Sequence, residues 1–163
     1  MLSFEEAKEK ALRAISVKRY TKKEIADKLK KLGASEDIVC DVLLWAEEYA
    51  FLNDEEYAKS YILNALNTKK HGLRKIKFEL SNKGIDRFII EDVLFELENN
   101  KLIDEEKNIK ILLEKRLCNL PDKKETDSAV RFLISRGYDF RNIKKCISEY
   151  ISDIDLGDDD FGE

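Results

Sequence analysis

Ile25-x-x-x-Leu29-x-x-x-Gly33 returns 51 residues later as Ile76-x-x-x-Leu80-x-x-x-Gly84, and Val42-Leu43 returns as Val93-Leu94 at the same spacing. A third copy, Ala129-x-x-x-Leu133-x-x-x-Gly137, follows 53 residues after the second, the extra residues falling in the Asn119-Leu120-Pro121 connection. Self-similarity at such a period marks a chain built from like supersecondary units, each too small to bury its apolar faces alone, so neighbours must stack.

Within each unit the apolar spacing is helical. Phe4, Ala7, Ala11 and Ile15 form one stripe, and Thr21-x-x-Glu24 reads as a capping box opening a second helix that Gly33 ends. Ser35 then caps a third helix whose buried face is Ile38, Val42, Trp45, Ala46 and Tyr49. Trp45, on that stripe, reads as a core position. In the second unit Asp54 reads as the cap of a helix from Glu55, Gly72 breaks the chain, Leu73, Ile76 and Leu80 mark the next helix, and Asp86 starts another. Six glycines and one proline leave little material for tight turns between strands. The expected fold is all-α: three tandem three-helix repeats, residues 1–51, 52–102 and 103–152, stacked into an elongated, curved array, with residues 153–163 as an acidic, disordered tail.

No apolar run reaches the roughly 20 residues that span a bilayer, and the first residues carry neither the basic nor the apolar part of a secretion signal. A cytoplasmic location is expected, without membrane association. Cys40, Cys118 and Cys146 lie far apart with no CxxC pair, so neither disulfides nor a zinc site is expected. Catalysis finds no constellation. The lone His71 has no nucleophile spaced to use it, and the pairs Asp54/Glu55 and Asp104/Glu105 stand where helix starts favour acids. There is no phosphate-binding glycine loop, and no cofactor is expected.

Charge gives the functional signal. The net charge is −4, but six acids and no basic residue lie from Ile151 onward, so a mildly basic body carries an acidic end that should screen it. Residues 18–31 hold seven basic residues against two acids, among them Lys22, Lys23, Lys28, Lys30 and Lys31. Residues 69–87 repeat that balance with Lys69, Lys70, Arg74, Lys75, Lys77, Lys83 and Arg87. The third unit offers Arg131 and Arg136 in a region more diluted by acids. Positive charge that recurs with the fold predicts a basic track for a phosphate backbone or an acidic protein groove. The bland alternative is a set of solvated helix faces with i,i+4 pairs such as Lys75–Glu79 and Glu79–Lys83. Aromatic residues do not interleave with these charges along the chain, which favours backbone or protein contact over stacking on bases.

Phe51-Leu52-Asn53-Asp54-Glu55-Glu56-Tyr57-Ala58-x-x-Tyr61, followed by Lys70-His71-Gly72-x-x-Lys75-Ile76-x-x-Glu79-Leu80-x-x-Lys83-Gly84-Ile85, resembles the central signature of the RecX regulators. Thr21-x-x-Glu24-Ile25-x-x-Lys28-Leu29-x-x-x-Gly33 resembles that family's opening repeat, and Phe132-Leu133-x-x-Arg136-Gly137-Tyr138 its closing one. Two features depart from the pattern: Ala65, where the family commonly has Arg, and the Asp-rich end. The resemblance implies a regulator that binds the RecA recombinase filament and modulates, usually by inhibition, its assembly, ATPase and strand exchange; a monomer without enzymatic activity is expected. Weak contact with single- or double-stranded DNA, without sequence specificity, is also expected. The alternatives are a helical DNA-binding module or a protein-interaction scaffold unrelated to recombination.

Overall fold

A computed structural model describes residues 1–117 and 121–157, with side chains described as far as residue 153. Nine α-helices and no strand occur among the described residues: α1 (Phe4–Ile15), α2 (Lys22–Lys31), α3 (Glu36–Glu48), α4 (Asp54–Asn64), α5 (Leu73–Asn82), α6 (Arg87–Asn99), α7 (Glu105–Arg116), α8 (Lys123–Ser135) and α9 (Phe140–Gly157). The all-α expectation holds. One π-helical turn, Ala65–Lys69, extends α4 and closes on Lys70 in the left-handed region.

The helix starts are set by short polar side chains that satisfy first-turn amides. Ser3 with Glu6, Thr21 with Glu24, and Asp122 with Glu125 form reciprocal capping boxes. Ser35, Asn53, Asp86 and Asp104 each accept one amide of their own helix. Asn53, rather than the expected Asp54, therefore caps α4.

Residues Met1–Ile62 and Phe78–Asn100 form one compact unit, and Leu63–Lys77 with Lys101 onward form the other, so α4 and α5 contribute to both. In the first, Ala7, Ala11, Ile25, Leu29, Val42 and Ala46 are fully buried, with small alanines on α1 admitting the side chains of α2 and α3. Trp45 is half-buried against this core, 5.2 Å from the Phe51 ring. In the second, Ile109, Leu113, Leu133, Tyr138, Ile143 and Cys146 make an equivalent core from α7, α8 and α9. Helix α9 continues past Ser152, beyond the expected start of the acidic tail, because Ile143, Cys146, Ile147 and Tyr150 hold one face of it against the core. The expectation of disorder for residues 158–163 lies outside the described residues.

Candidate partner and nucleic-acid interface

The basic second helices meet the rest of their units at their ends. In the first unit Thr21, fully buried at the start of α2, donates its hydroxyl to the Lys83 carbonyl at the end of α5 at 2.7 Å. A Cβ at Gly84 would strike the Lys23 side chain. The buried Asp54 carboxylate, from the start of α4, accepts the Lys22 amide at 2.9 Å. The second unit repeats this junction. The Gly72 amide donates to the Arg136 carbonyl at 2.8 Å and the Arg74 amide to the Gly137 carbonyl at 3.3 Å, joining the start of α5 to the end of α8. Glu105, from the start of α7, accepts the Leu73 amide at 2.8 Å. Both junctions close a helix N-terminus with the next repeat's backbone and one acid, and both bring basic side chains together.

Around the first junction lie Lys22, Lys23, Lys83 and Arg87, with Lys28, Lys30 and Lys31 further along α2. Lys22 donates to Glu47 at 2.7 Å, and that hydrogen bond holds its ammonium above the ordinary lysine range. Lys30 pairs with Glu36 at 2.8 Å, which raises its pKa likewise and lowers that of Glu36. Burial works against the charge of Lys83, but hydrogen bonding to Glu24 at 3.0 Å and to Tyr57 outweighs it. The Lys28 ammonium lies 5.7 Å from the centre of the Tyr20 ring. Lys23, Lys31 and Arg87 are exposed and form no ion pair among the described residues.

Around the second junction lie Lys69, Lys70, Arg74, Lys75, Lys77 and Arg136, with Arg131 on α8. Arg136 donates to the Lys69 carbonyl at 2.7 Å and Tyr138 donates to the Lys70 carbonyl at 2.8 Å, so these two side chains hold the π-helical turn. Arg74 is exposed, 3.7 Å from Asp139. Half-buried Lys75 packs its Cβ on Gly137. His71 is half-buried, its amide bonded to the Ala65 carbonyl.

The fold thus divides the candidate residues. Lys22, Lys30, Lys83 and Arg136 have structural bonds, whereas Lys23, Lys31, Arg74, Arg87 and Arg131 present charge outward. The candidate residues named from sequence leave out Arg19, which donates to Ser60 at 2.6 Å, and Lys18, whose ammonium sits 4.4 Å from the Tyr20 ring centre. Both lie inside the basic run 18–31 and are visible as part of its charge. No group of three or more metal-ligating side chains is found among the described residues, and no described helix is long and apolar enough to cross a membrane.

Residues 7–44 match the family model for the first three-helix domain of RecX, and residues 53–94 match that for the second. The chain is similar to the regulatory protein RecX of Clostridium perfringens, 35% identical over 143 residues that cover 84% of this chain and 65% of the relative. The RecX of Clostridium beijerinckii is 32% identical over 162 residues, covering 96% and 73% of the two chains. The crystal structure of RecX from Lactobacillus salivarius superposes with a TM-score of 0.79 at 30% identity, covering 90% of this chain and 96% of that one. A second RecX crystal structure, at 24% identity and a TM-score of 0.71, shares the fold.

Proposed function

Since this chain belongs to the RecX family of regulatory proteins, we propose that it binds the RecA recombinase filament and restrains its assembly, ATP hydrolysis and strand exchange, without catalysing a reaction itself. The observation that supports this reading is the recurrence of one basic junction in both units, where Lys23 and Arg87 in the first and Arg74 in the second present unpaired or weakly paired charge beside a closed helix end. Closed helix ends matter for the choice. A helix-turn-helix reader inserts the start of its recognition helix into a groove. Here the starts of α2 and α5 are covered by backbone and by Asp54 and Glu105, which leaves side-chain charge rather than helix tips for contact. Such charge suits an acidic filament groove or phosphates met without sequence preference.

The test is a RecA ATPase and filament-assembly assay on single-stranded DNA with this protein titrated in. ATP turnover and filament mass should both fall as it approaches stoichiometry with the recombinase. No change at several-fold molar excess would overturn the proposal.

A further inference from the structure

Three aromatic side chains, Tyr20 and the sequence-remote Phe51 and Tyr57, converge in the first unit on an open cavity of about 350 Å³ that Arg19, Asn53 and Glu56 also line. The pocket is built by the connections around two helix starts: Tyr20 immediately precedes the Thr21 cap of α2, Phe51 follows the left-handed Ala50 after α3, and Tyr57 stands in the first turn of α4. Its rings are held from behind. Phe51 lies 5.2 Å from Trp45, and Tyr57 stacks on Tyr61 at 6.2 Å with the planes only 13° apart. Its rim is cationic. Lys18 and Lys28 approach the Tyr20 ring at 4.4 and 5.7 Å, Lys83 approaches Tyr57 at 5.8 Å, and exposed Arg19 is tethered to Ser60. One acid, Glu56, faces them within the lining.

Aromatic walls accept a flat, polarisable ring against their faces, and a positive rim accepts an anionic group attached to that ring. A nucleotide has that composition, and the cavity is large enough for one base while remaining partly open to solvent. We propose that this pocket binds one unpaired nucleotide of a single-stranded nucleic acid, its base against Tyr20, Phe51 and Tyr57 and its phosphate beside Lys18 and Arg19. Tyr20 stands within the basic run 18–31, and the fold adds Phe51 and Tyr57, which lie outside that run, to the same cationic rim. A stacking platform of this kind tolerates any base, because every base has a π face. The pocket lies wholly within the first unit, and its ligand does not depend on which protein the chain regulates.

The experiment compares a fluorescent oligo-dT with an abasic strand of equal length by anisotropy. The wild-type protein should bind oligo-dT roughly 5- to 100-fold more tightly than the abasic strand, the range that removing one stacked base commonly produces. Phe51→Ala should lose that preference while its affinity for the abasic strand stays unchanged. Should its thermal melt show a damaged fold, Phe51→Leu removes the ring with less loss of volume and carries the same expectation. Arg19→Ala should weaken both strands alike and reduce the dependence of log affinity on log salt by about 0.7, the share of one phosphate on a single strand. Equal affinity of the wild type for the two strands, or equal losses on both in the ring variants, would overturn the proposal. So would ring variants that keep the oligo-dT preference but lose a protein partner, since the pocket would then take a protein side chain.

Discussion

An acid at the start of a helix ordinarily serves its own helix, but Asp54 is only 5% exposed and serves α2. Burial pushes its pKa up, the Lys22 amide and ammonium pull it down, and the charges of Glu47 and Glu24 add to the rise. An acid whose pKa is raised by folding contributes its full stability below the unfolded value and loses it as pH rises through the folded value. Asp54→Asn keeps an oxygen for the Lys22 amide without the charge. The wild type should therefore lose stability relative to Asp54→Asn as pH rises from below the ordinary aspartate value of about 3.9, read from paired denaturant midpoints, and a drift in the opposite direction would show that the site prefers the carboxylate. Gly137 offers a second test of the junctions. Its φ of 91° and that of Gly33, 90°, carry the same left-handed strain for alanine, roughly 1–2 kcal/mol. A Cβ at Gly33 would meet nothing, whereas at Gly137 it would lie 2.5 Å from the Lys75 amide nitrogen. Gly137→Ala should lower the melting temperature clearly more than Gly33→Ala, and equal losses would mean that the second junction yields without cost.

Each second helix divides scaffold from surface along its own length. Ile25 and Leu29 on α2, Ile76 and Leu80 on α5, and Ala129 and Leu133 on α8 are buried, while the basic residues occupy the other sides. Leu80→Ala should destabilise the protein by about 2–5 kcal/mol, and Lys31→Glu, at an exposed position, by no more than about 0.5 kcal/mol. Circular-dichroism melts of the two variants check this separation; a comparable loss for Lys31→Glu would place that lysine in the scaffold. These stripes, the Thr21–Glu24 box and the three closing glycines are legible in the sequence because each arises from bonds within a few residues. What is not legible depends on partners far along the chain: the reach of Asp54 to Lys22 and of Glu105 to Leu73, and the hold of Arg136 and Tyr138 on the π-helical turn. The aromatic pocket is hidden for the same reason, since Tyr20 and Phe51 sit in different connections and carry no common spacing.

At the scale of the whole molecule, the repeat seen in the sequence has a chemical counterpart in the fold: one type of junction, made twice, each time closing a helix end and leaving cations beside it. Sequence charge locates those cations but cannot tell Lys23, which points outward, from Lys22, which is tied to Glu47. That distinction allows a sharp test of filament binding, because exposed charge can be reversed while the buried stripes of α2 and α5 stay unchanged. RecA filaments assembled on single-stranded DNA with a non-hydrolysable ATP analogue are pelleted with increasing amounts of the wild-type protein or of a Lys23→Glu, Arg74→Glu, Arg87→Glu variant whose helical content and melting temperature have been verified. The wild type should co-pellet saturably, and the folded variant should require at least about tenfold more protein, the weakening expected when several interface charges are reversed. A wild type that stays in the supernatant, or a folded variant that co-pellets as well as the wild type, would contradict the account.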